Sequence, residues 1–256
     1  MQQGGLMNLV SSDVFVSDVD RERFGAKTAR IIGLTAEGLS STLNFCAKEK
    51  IALLIARCNL SDLEAAQAME KEGFLLMDTL LYYNIDLIRQ AVPDDHGVAQ
   101  VRPIRADEED EMIAVAEESF RGYLGHYHAD QRLDNDQCDE AYADWAHKAF
   151  TSRSSDNFLA GEIKGRIVGF GVLRMNNPDE GEMFLGGIHP DFQGQGIYHS
   201  FLCKAMEWCL SKNAKKMVIS TQLKNISVQK VLMKFGFEIS RGYYTYHKWF
   251  DQFASD

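Results

Sequence analysis

The chain lacks a surplus of basic residues, and this absence limits its partners. Its 256 residues include 27 Lys and Arg against 37 Asp and Glu, so the formal net charge is −10. Nucleic acids and anionic membranes are bound by basic faces, because their phosphate groups must be neutralised. We therefore expect no nucleic-acid partner and no membrane partner, although backbone amides could still form a local anion site.

Long apolar segments and paired cysteines are also missing. The longest apolar run, residues 51–56, is far too short to span a bilayer, and the first residues contain no basic segment followed by an apolar stretch. The five cysteines form no Cys-x-x-Cys pair, and we expect none of them to have a histidine partner at metal-binding spacing. These absences predict a protein of the reducing cytoplasm that holds no metal.

The sequence does contain a regular alternation of strand and helix signals. We predict strands by their β-branched and aromatic runs, helices by their caps and periodicity, and one hairpin by its Lys164-Gly165 turn. The Pro- and Gly-containing stretch 89–100 is the predicted linker between two domains, residues 1–95 and 96–256. The predicted strands are 28–34, 51–57, 74–87, 101–104, 157–163, 166–175, 183–188, 216–222 and 237–249, and the predicted helices are 36–48, 62–72, 107–120, 140–150, 201–210 and 226–234.

Two segments of the chain resemble each other. Residues 62–83 and 225–246 each read as a capping residue, a helix, a Gly-Phe pair eleven residues on and a strand ending in aromatics. One interpretation is that helix, glycine and strand form a common joint. The other is a partial duplication, in which the first segment is a truncated, structural copy without a phosphate loop.

The most informative stretch is 188–198, which reads IHPDFQGQGIY. A predicted strand leads into it and an amphipathic helix follows. A strand, a Gly-x-Gly loop and a helix start together bind anionic phosphate, because backbone N–H groups point at the ligand with the helix dipole behind them. Gly194 and Gly196 let the backbone adopt positive φ, so we predict a phosphate site here.

Residues 185–202, the run Asn225-Ile226-Ser227 and residues 234–237 resemble the GNAT superfamily of acyl-CoA-dependent N-acetyltransferases. The resemblance covers about 101–249. It implies an α/β (α+β) fold, in which helices flank a mixed, mostly antiparallel sheet and a smaller βαβαβ domain precedes it. It also implies acetyl-CoA as co-substrate, no metal, and a (Q/R)-x-x-G-x-(G/A) pyrophosphate loop in which Tyr198 replaces the small last residue. The implied cofactor contacts are Gly186, Gly187, Ile188, Gln193, Gly194, Gln195, Gly196, Ile197, Tyr198 and Asn225.

The resemblance also suggests a general base. The acceptor amine must lose a proton before it attacks the thioester, and a carboxylate acting through water could take it. Glu182, six residues before Ile188, matches the position of a glutamate base in histone-acetylating members. The competing interpretation is a solvated carboxylate at the end of a strand.

The expected general acid is missing. In the family a tyrosine seven residues after the helix-capping asparagine protonates the departing thiolate, but Leu232 occupies that position here. The candidates to substitute for it on the last strand are Tyr243, Tyr244, Tyr246 and His247, of which we select Tyr244 and His247. Two alternatives are that backbone amides stabilise the thiolate, or that the chain binds acyl-CoA without catalysis.

A closer likeness, to the TDP-fucosamine acetyltransferases, rests on segments 126–130, 220–225 and 243–249 and on the small preceding domain. It implies a nucleotide-linked amino-deoxy sugar as acceptor, a role in surface polysaccharide synthesis and a homodimer. His128 and Asp130 are then expected to line the acceptor pocket rather than to bind a metal. Another small amine, a protein N-terminus, or a non-catalytic acyl-CoA-binding module are the alternatives.

Overall fold

The computed structural model describes residues 13–123, 125–151 and 157–253, which form two compact units. The first unit comprises the described parts of Met1–Leu81, Leu124–Gln137 and Arg241–Asp256, and the second comprises those of Tyr82–Tyr123 and Cys138–Ser240. The units differ from the predicted domains 1–95 and 96–256, because two later segments belong to the first unit and residues 82–95 belong to the second.

Strands and helices alternate along most of the described chain. The strands are β1 (Phe15–Ser17), β2 (Thr28–Ile32), β3 (Leu53–Asn59), β4 (Leu75–Asp86), β5 (Gln100–Pro103), β6 (Phe158–Ile163), β7 (Arg166–Asn177), β8 (Glu180–Ile188), β9 (Lys216–Gln222) and β10 (Glu238–Trp249). The helices are α1 (Asp18–Phe24), α2 (Ala36–Lys48), α3 (Leu63–Lys71), α4 (Glu109–Phe120), α5 (Asn135–Thr151), α6 (Ile197–Ser211) and α7 (Ile226–Lys234).

The sequence predicted most of these elements, and three of them to the residue. Helices α2 and α7 and strand β9 have the predicted bounds, since capping residues and apolar periodicity are local signals. The short β1 and α1 were not predicted. Helix α5 begins at Asn135, five residues before the predicted start.

In the first unit, β2 pairs with β1 antiparallel and with β3 parallel, and β3 pairs with β10 antiparallel. This pairing explains why the end of the chain belongs to the first unit. The segment 125–137 is held there by Tyr127, whose hydroxyl donates to the buried Asp20 carboxylate at 2.7 Å. The Arg30 guanidinium binds the same carboxylate at 2.9 Å.

In the second unit, β5, β6, β7 and β8 pair antiparallel in that order, and β9 adds to β8 in parallel. The sheet of this unit is thus mostly antiparallel, as predicted. In the described part of the chain, no helix combines the length and the apolar character needed to cross a membrane.

Helix α6 is seated on this sheet through a glycine groove, formed by Gly161, Gly169 and Gly171. A Cβ added at each would lie 2.7, 3.1 and 3.2 Å from the ring of Phe201, so a side chain there would require the ring to shift. Farther along the helix, Cys209 packs against Gly181 in the same way. Close packing of ring against backbone fixes the position of α6, and with it the loop that precedes the helix.

Candidate functional site

The parallel strands β8 and β9 form a fork. They are paired only where Glu180–Glu182 faces Lys216–Val218, although β8 continues to Ile188 and β9 to Gln222. Beyond Glu182, β8 remains paired with β7 on its other side. The rest of β8 therefore presents backbone groups toward the open side of the fork, where an extended ligand can pair as an added strand.

The loop after β8 has the geometry of an anion cradle. Gly194 and Gly196 have φ values of 76° and 83°, which side-chain-bearing residues rarely adopt, and no atom lies within 4 Å of a Cβ built on either. Gly196 is the N-cap of α6 and provides no side-chain cap. Among the described residues, none accepts a hydrogen bond from the backbone N–H of Gly194, Gln195 or Gly196. The groups at this helix start are thus left for a ligand.

The loop's own side chains stabilise its shape. The Gln193 amide donates to the carbonyl of Ile188 at 3.1 Å, and the Gln195 amide donates to the carbonyl of Asp191 at 3.3 Å. Ile197 is buried under the loop. Tyr198 lies in the first turn of α6, where burial raises the pKa of its phenol above the ordinary value.

Gly186 and Gly187 are needed for packing within the protein. A Cβ on Gly187 would lie 2.7 Å from Ser119 Cβ on α4, and one on Gly186 would lie 3.1 Å from the carbonyl oxygen of Phe170 on β7. Gly187 therefore allows α4 to pack closely against β8. A ligand along this strand would use its backbone groups rather than the missing side chains.

Glu182 is the last residue of β8 that pairs with β9, so it lies at the base of the fork. Its side chain is buried, and Oε2 accepts from Arg174 Nε at 2.8 Å and from Nη2 at 2.6 Å. The predicted alternative of a solvated carboxylate at a strand end is therefore wrong. The ion pair keeps Glu182 in a fixed place, and its role as general base stays a prediction.

The start of α7 is built as predicted. Asn225 caps the helix, and its Oδ1 accepts from the backbone N–H of Val228 at 3.4 Å. Leu232 is fully buried, so neither its chemistry nor its position allows proton transfer.

Tyr123 was not singled out from the sequence. It follows α4, and its hydroxyl donates to the Oε1 atom of Gln222, the last residue of β9. Because Ser119 on the preceding helix contacts β8 at Gly187, this turn of the chain reaches both strands of the fork. Spacing along the sequence could not reveal this contact between residues 123 and 222.

Four predicted site residues lie in the first unit. His247 is buried, with Nδ1 2.7 Å from Asp130 Oδ2 and Nε2 2.9 Å from His126 Nδ1. Asp130 also accepts from the indole of Trp249 at 2.8 Å. Tyr244 packs against the core of this unit, and His128 is half-buried. The structure thus joins Asp130 and His247 in one buried network, and the predicted catalytic and acceptor roles stay predictions.

The cysteines of α6 are unsuited to attack a thioester. Burial raises the pKa of the Cys203 thiol to about 11 and that of Cys209 to about 12. Since the thiolate is the nucleophile, both would be protonated near neutral pH.

A model of the acetyltransferase (GNAT) family matches residues 110–237, half of the chain, and this match includes the fork, the loop and the start of α7. The chain belongs to the GNAT family. This membership confirms the predicted enzyme class, acyltransferase, at the level of the family. Members of the family use acetyl-CoA, the donor that the sequence predicted.

Known proteins add detail. The spore coat polysaccharide biosynthesis protein SpsD of Bacillus subtilis is 23% identical over 150 residues, which are 59% of this chain and 50% of SpsD. The chain thus spans about half the length of this relative. A GCN5-related N-acetyltransferase from Sphaerobacter thermophilus has a similar structure, with a TM-score of 0.66 at 14% identity over 92% of this chain and 76% of that one.

A tandem GNAT protein from the clavulanic acid biosynthesis pathway is similar in structure as well, with a TM-score of 0.59 at 16% identity. The match covers 88% of this chain and 76% of that one. These structural likenesses extend well beyond residues 110–237. They confirm the predicted fold, a mixed α/β architecture with a mostly antiparallel sheet flanked by helices.

Proposed function

We propose that the protein transfers the acetyl group of acetyl-CoA directly to the amino group of a nucleotide-linked amino-deoxy sugar. The observation that carries the donor half is the uncapped, glycine-containing start of α6 beside the open fork of β8 and β9. Family membership agrees with this donor. The acceptor half rests on the likeness of segments 126–130, 220–225 and 243–249 to sugar-nucleotide acetyltransferases. The relative SpsD, by its name a polysaccharide biosynthesis protein, supports it.

The donor would bind through backbone groups. The N–H groups from Gly194 to Tyr198 would hold the pyrophosphate, helped by the dipole of α6. The edge of β8 between Met183 and Ile188, which is not paired with β9, would hydrogen-bond the pantetheine arm, and Asn225 would remain a cap beside it. This mode needs no basic cluster, which suits a chain of net charge −10.

Glu182 is the proposed base. The acceptor ammonium would pass a proton to it through a water molecule, after which the amine nitrogen attacks the thioester carbonyl carbon and the carbon–sulfur bond breaks. Glu182 lies where the fork opens, and the Arg174 guanidinium holds its carboxylate in place. General-base catalysis of this kind contributes about 10²–10⁴-fold.

The departing thiolate needs a proton, and Tyr123 is the hydroxyl that we propose as its source. It belongs to the same unit as the loop and reaches the end of β9 through Gln222. Tyr244 and His247, the candidates from the sequence, belong to the first unit. His247 has both ring nitrogens within hydrogen-bond distance of Asp130 and His126, which favours a structural role for it.

The direct test is to mix the purified chain with acetyl-CoA and a panel of dTDP-linked amino-deoxy sugars, and to follow the release of free thiol. Acetylation of one of these sugars, far faster than of simple amines and peptides, is the expected result. Preference for a peptide or a polyamine would overturn the acceptor assignment alone. Tight binding of CoA by calorimetry without turnover of any amine would favour the non-catalytic alternative.

A further inference from the structure

The segment after β4 packs closely against α6. The carbonyl of Asp94 lies 3.1 Å from His199 Nε2, and the Asp95 carboxylate accepts from the buried Ser200 hydroxyl at 2.8 Å. Gly97 permits this approach, because a Cβ there would lie 1.7 Å from Ser200 Oγ. Residues 93–97, here named the strap, therefore lie on the first two turns of the helix.

Three metal-binding side chains meet under this strap. The ligand atoms of Asp95, His199 and Cys203 all lie within 4.8 Å of one another. His199 and Cys203 are four residues apart on α6, so they lie one above the other on the same helix face. The expectation that no cysteine has a histidine partner at metal-binding spacing is therefore wrong at this position. The partnership depends on the helical repeat, which brings residues four apart to the same face.

We propose that Asp95, His199 and Cys203 bind a divalent transition-metal ion, with Zn²⁺ as the best match. A thiolate, an imidazole and a carboxylate are all zinc ligands, with bonds of about 2.0–2.3 Å. Without metal the buried Cys203 thiol is protonated near neutral pH, and the ion would displace that proton to solvent on binding. Such ligands lie roughly 3 to 4 Å apart around a tetrahedral ion. From separations of at most 4.8 Å, closure takes only about an ångström of side-chain movement.

The surroundings of the three side chains suit this role. Metal-binding imidazoles usually donate their second N–H to a carbonyl, and His199 Nε2 has the carbonyl of Asp94 for this purpose. Metal-binding carboxylates are themselves held by hydrogen bonds, and Asp95 Oδ1 accepts from Gly97 N at 2.9 Å and from Ser200 Oγ. Because Asp95 is exposed, a water molecule can complete the coordination from the solvent side.

The ion would connect the strap to the helix that follows the glycine loop. His199 is three residues after Gly196, so the site lies within the first two turns of α6. A metal there would hold the helix start in place, independently of any acyl transfer. The proposal therefore goes beyond the proposed function and does not depend on it.

The test is a titration of the metal-free full chain with Co²⁺, followed by absorption spectroscopy and by competition with Zn²⁺. We expect a thiolate-to-cobalt charge-transfer band in the near ultraviolet, which Zn²⁺ abolishes. Cys203→Ser should remove the band, and His199→Ala should weaken Co²⁺ binding about 100-fold or more, since even second-shell changes cost roughly 10–100-fold.

Cys209→Ser is the matched control, because Cys209 is buried on the same helix but, within the described part of the chain, belongs to no such cluster. It should keep the band. Asp95→Asn changes an exposed residue, so it tests the site in a chain that still folds, and it should lower the affinity for Co²⁺. A wild-type chain without the band at excess Co²⁺, or a band that survives Cys203→Ser, would overturn the proposal.

Discussion

The molecule contains two strand–helix–strand arrangements of the same order, β2-α2-β3 and β8-α6-β9, and they differ at one end. In the first, β2 and β3 are paired along the whole of β2, from Thr28 facing Leu53 to Ile32 facing Arg57. In the second, pairing stops at Glu182 although β8 continues for six more residues. The first arrangement is closed by strand pairing, and the second is open beyond Glu182.

The starts of helices α2 and α6 also differ, because only the first has a side-chain cap. Helix α2 is capped by Thr35, whose hydroxyl accepts from the backbone N–H of Gly38 at 3.2 Å. Helix α6 starts at Gly196 without a side-chain cap. A helix start whose N–H groups are satisfied by its own chain is structural, whereas one without a cap can bind an anion. The two helix starts therefore differ in whether a side chain of the protein itself meets the backbone N–H groups.

The elements that follow the two arrangements are also alike in length and spacing. Strand β9, helix α7 and strand β10 begin and end 163 residues after β3, α3 and β4, as Leu63 and Ile226 illustrate. Two residues after the end of α3 and of α7 comes a glycine of positive φ, Gly73 at 80° and Gly236 at 88°. The following phenylalanine donates in each case to the helix at 3.0 Å, Phe74 to Met69 and Phe237 to Leu232. This register supports the interpretation that the first segment is a truncated copy.

The largest expected effect comes from closing the open arrangement. Gly196→Glu places a side chain and a negative charge at the helix start, so CoA affinity should fall at least about 100-fold, which is about 2.7 kcal/mol. Calorimetry with CoA measures this. Gly33→Glu is the control, because Gly33 has a similar φ of 79°, open space around a built Cβ and a place in the first unit. Unchanged affinity in Gly196→Glu would refute the loop as the CoA site.

The next effect concerns the base of the fork. Glu182→Gln should lower kcat about 10²–10⁴-fold at an unchanged KM for acetyl-CoA, since a general base would be lost. Glu180→Gln is the matched control on the same strand, because Glu180 is also buried and paired, with Lys216 at 2.7 Å. Equal losses of kcat in both variants would mean that Glu182 serves only the structure.

Tyr123→Phe tests the proposed acid within the open arrangement. We expect kcat to fall about 100-fold, because the thiolate would leave unprotonated. The loss should shrink with an acetyl thioester of a more acidic thiol, which needs less help to depart. Tyr198→Phe, a change of the neighbouring phenol, should have little effect. A loss in Tyr123→Phe that is the same for both thioesters would count against proton donation.

The stability of the first unit, which contains His126, should depend on pH. Burial, and then the nearby His247, hold the pKa of His126 well below the ordinary value of 6.5, so the folded chain keeps this imidazole neutral. Below pH 6.5 the unfolded chain takes up a proton that the folded chain does not. The free energy of unfolding should therefore fall as pH falls, by about 1.4 kcal/mol per pH unit for each such proton.

Urea unfolding between pH 8 and pH 5 measures this slope. His126→Asn removes the titrating group and keeps a polar side chain, so its slope should be smaller than that of the wild type. The same slope in both chains would show that other groups cause the acid sensitivity.

The smallest expected effect concerns the cap of the closed arrangement. Thr35→Ala should lower the free energy of unfolding by about 1 kcal/mol, the usual value of such a cap, and leave CoA affinity unchanged. Thermal or urea unfolding measures the first, and calorimetry the second. Weakened CoA binding in this variant would show that the closed copy also takes part in binding the donor.

The sequence predicted those features that depend on neighbours along the chain. Residues 216–222 and 226–234 were placed correctly, as were the loop glycines, because turns, caps and periodicity are local. The fork between β8 and β9 was not predictable, since it depends on hydrogen-bond register between distant segments. The same holds for the Tyr123–Gln222 contact and for the docking of segment 125–137 in the first unit.

The glycine groove beneath Phe201 also affects how mutational data on this protein should be interpreted. Gly161, Gly169 and Gly171 contact the ring of a helix residue and belong to no loop. We expect a bulky side chain introduced there to shift Phe201, and with it α6 and the groups that precede the helix. In a saturation-mutagenesis screen for CoA binding, these three positions would therefore score like direct contacts, and stability measurements would be needed to distinguish the two classes.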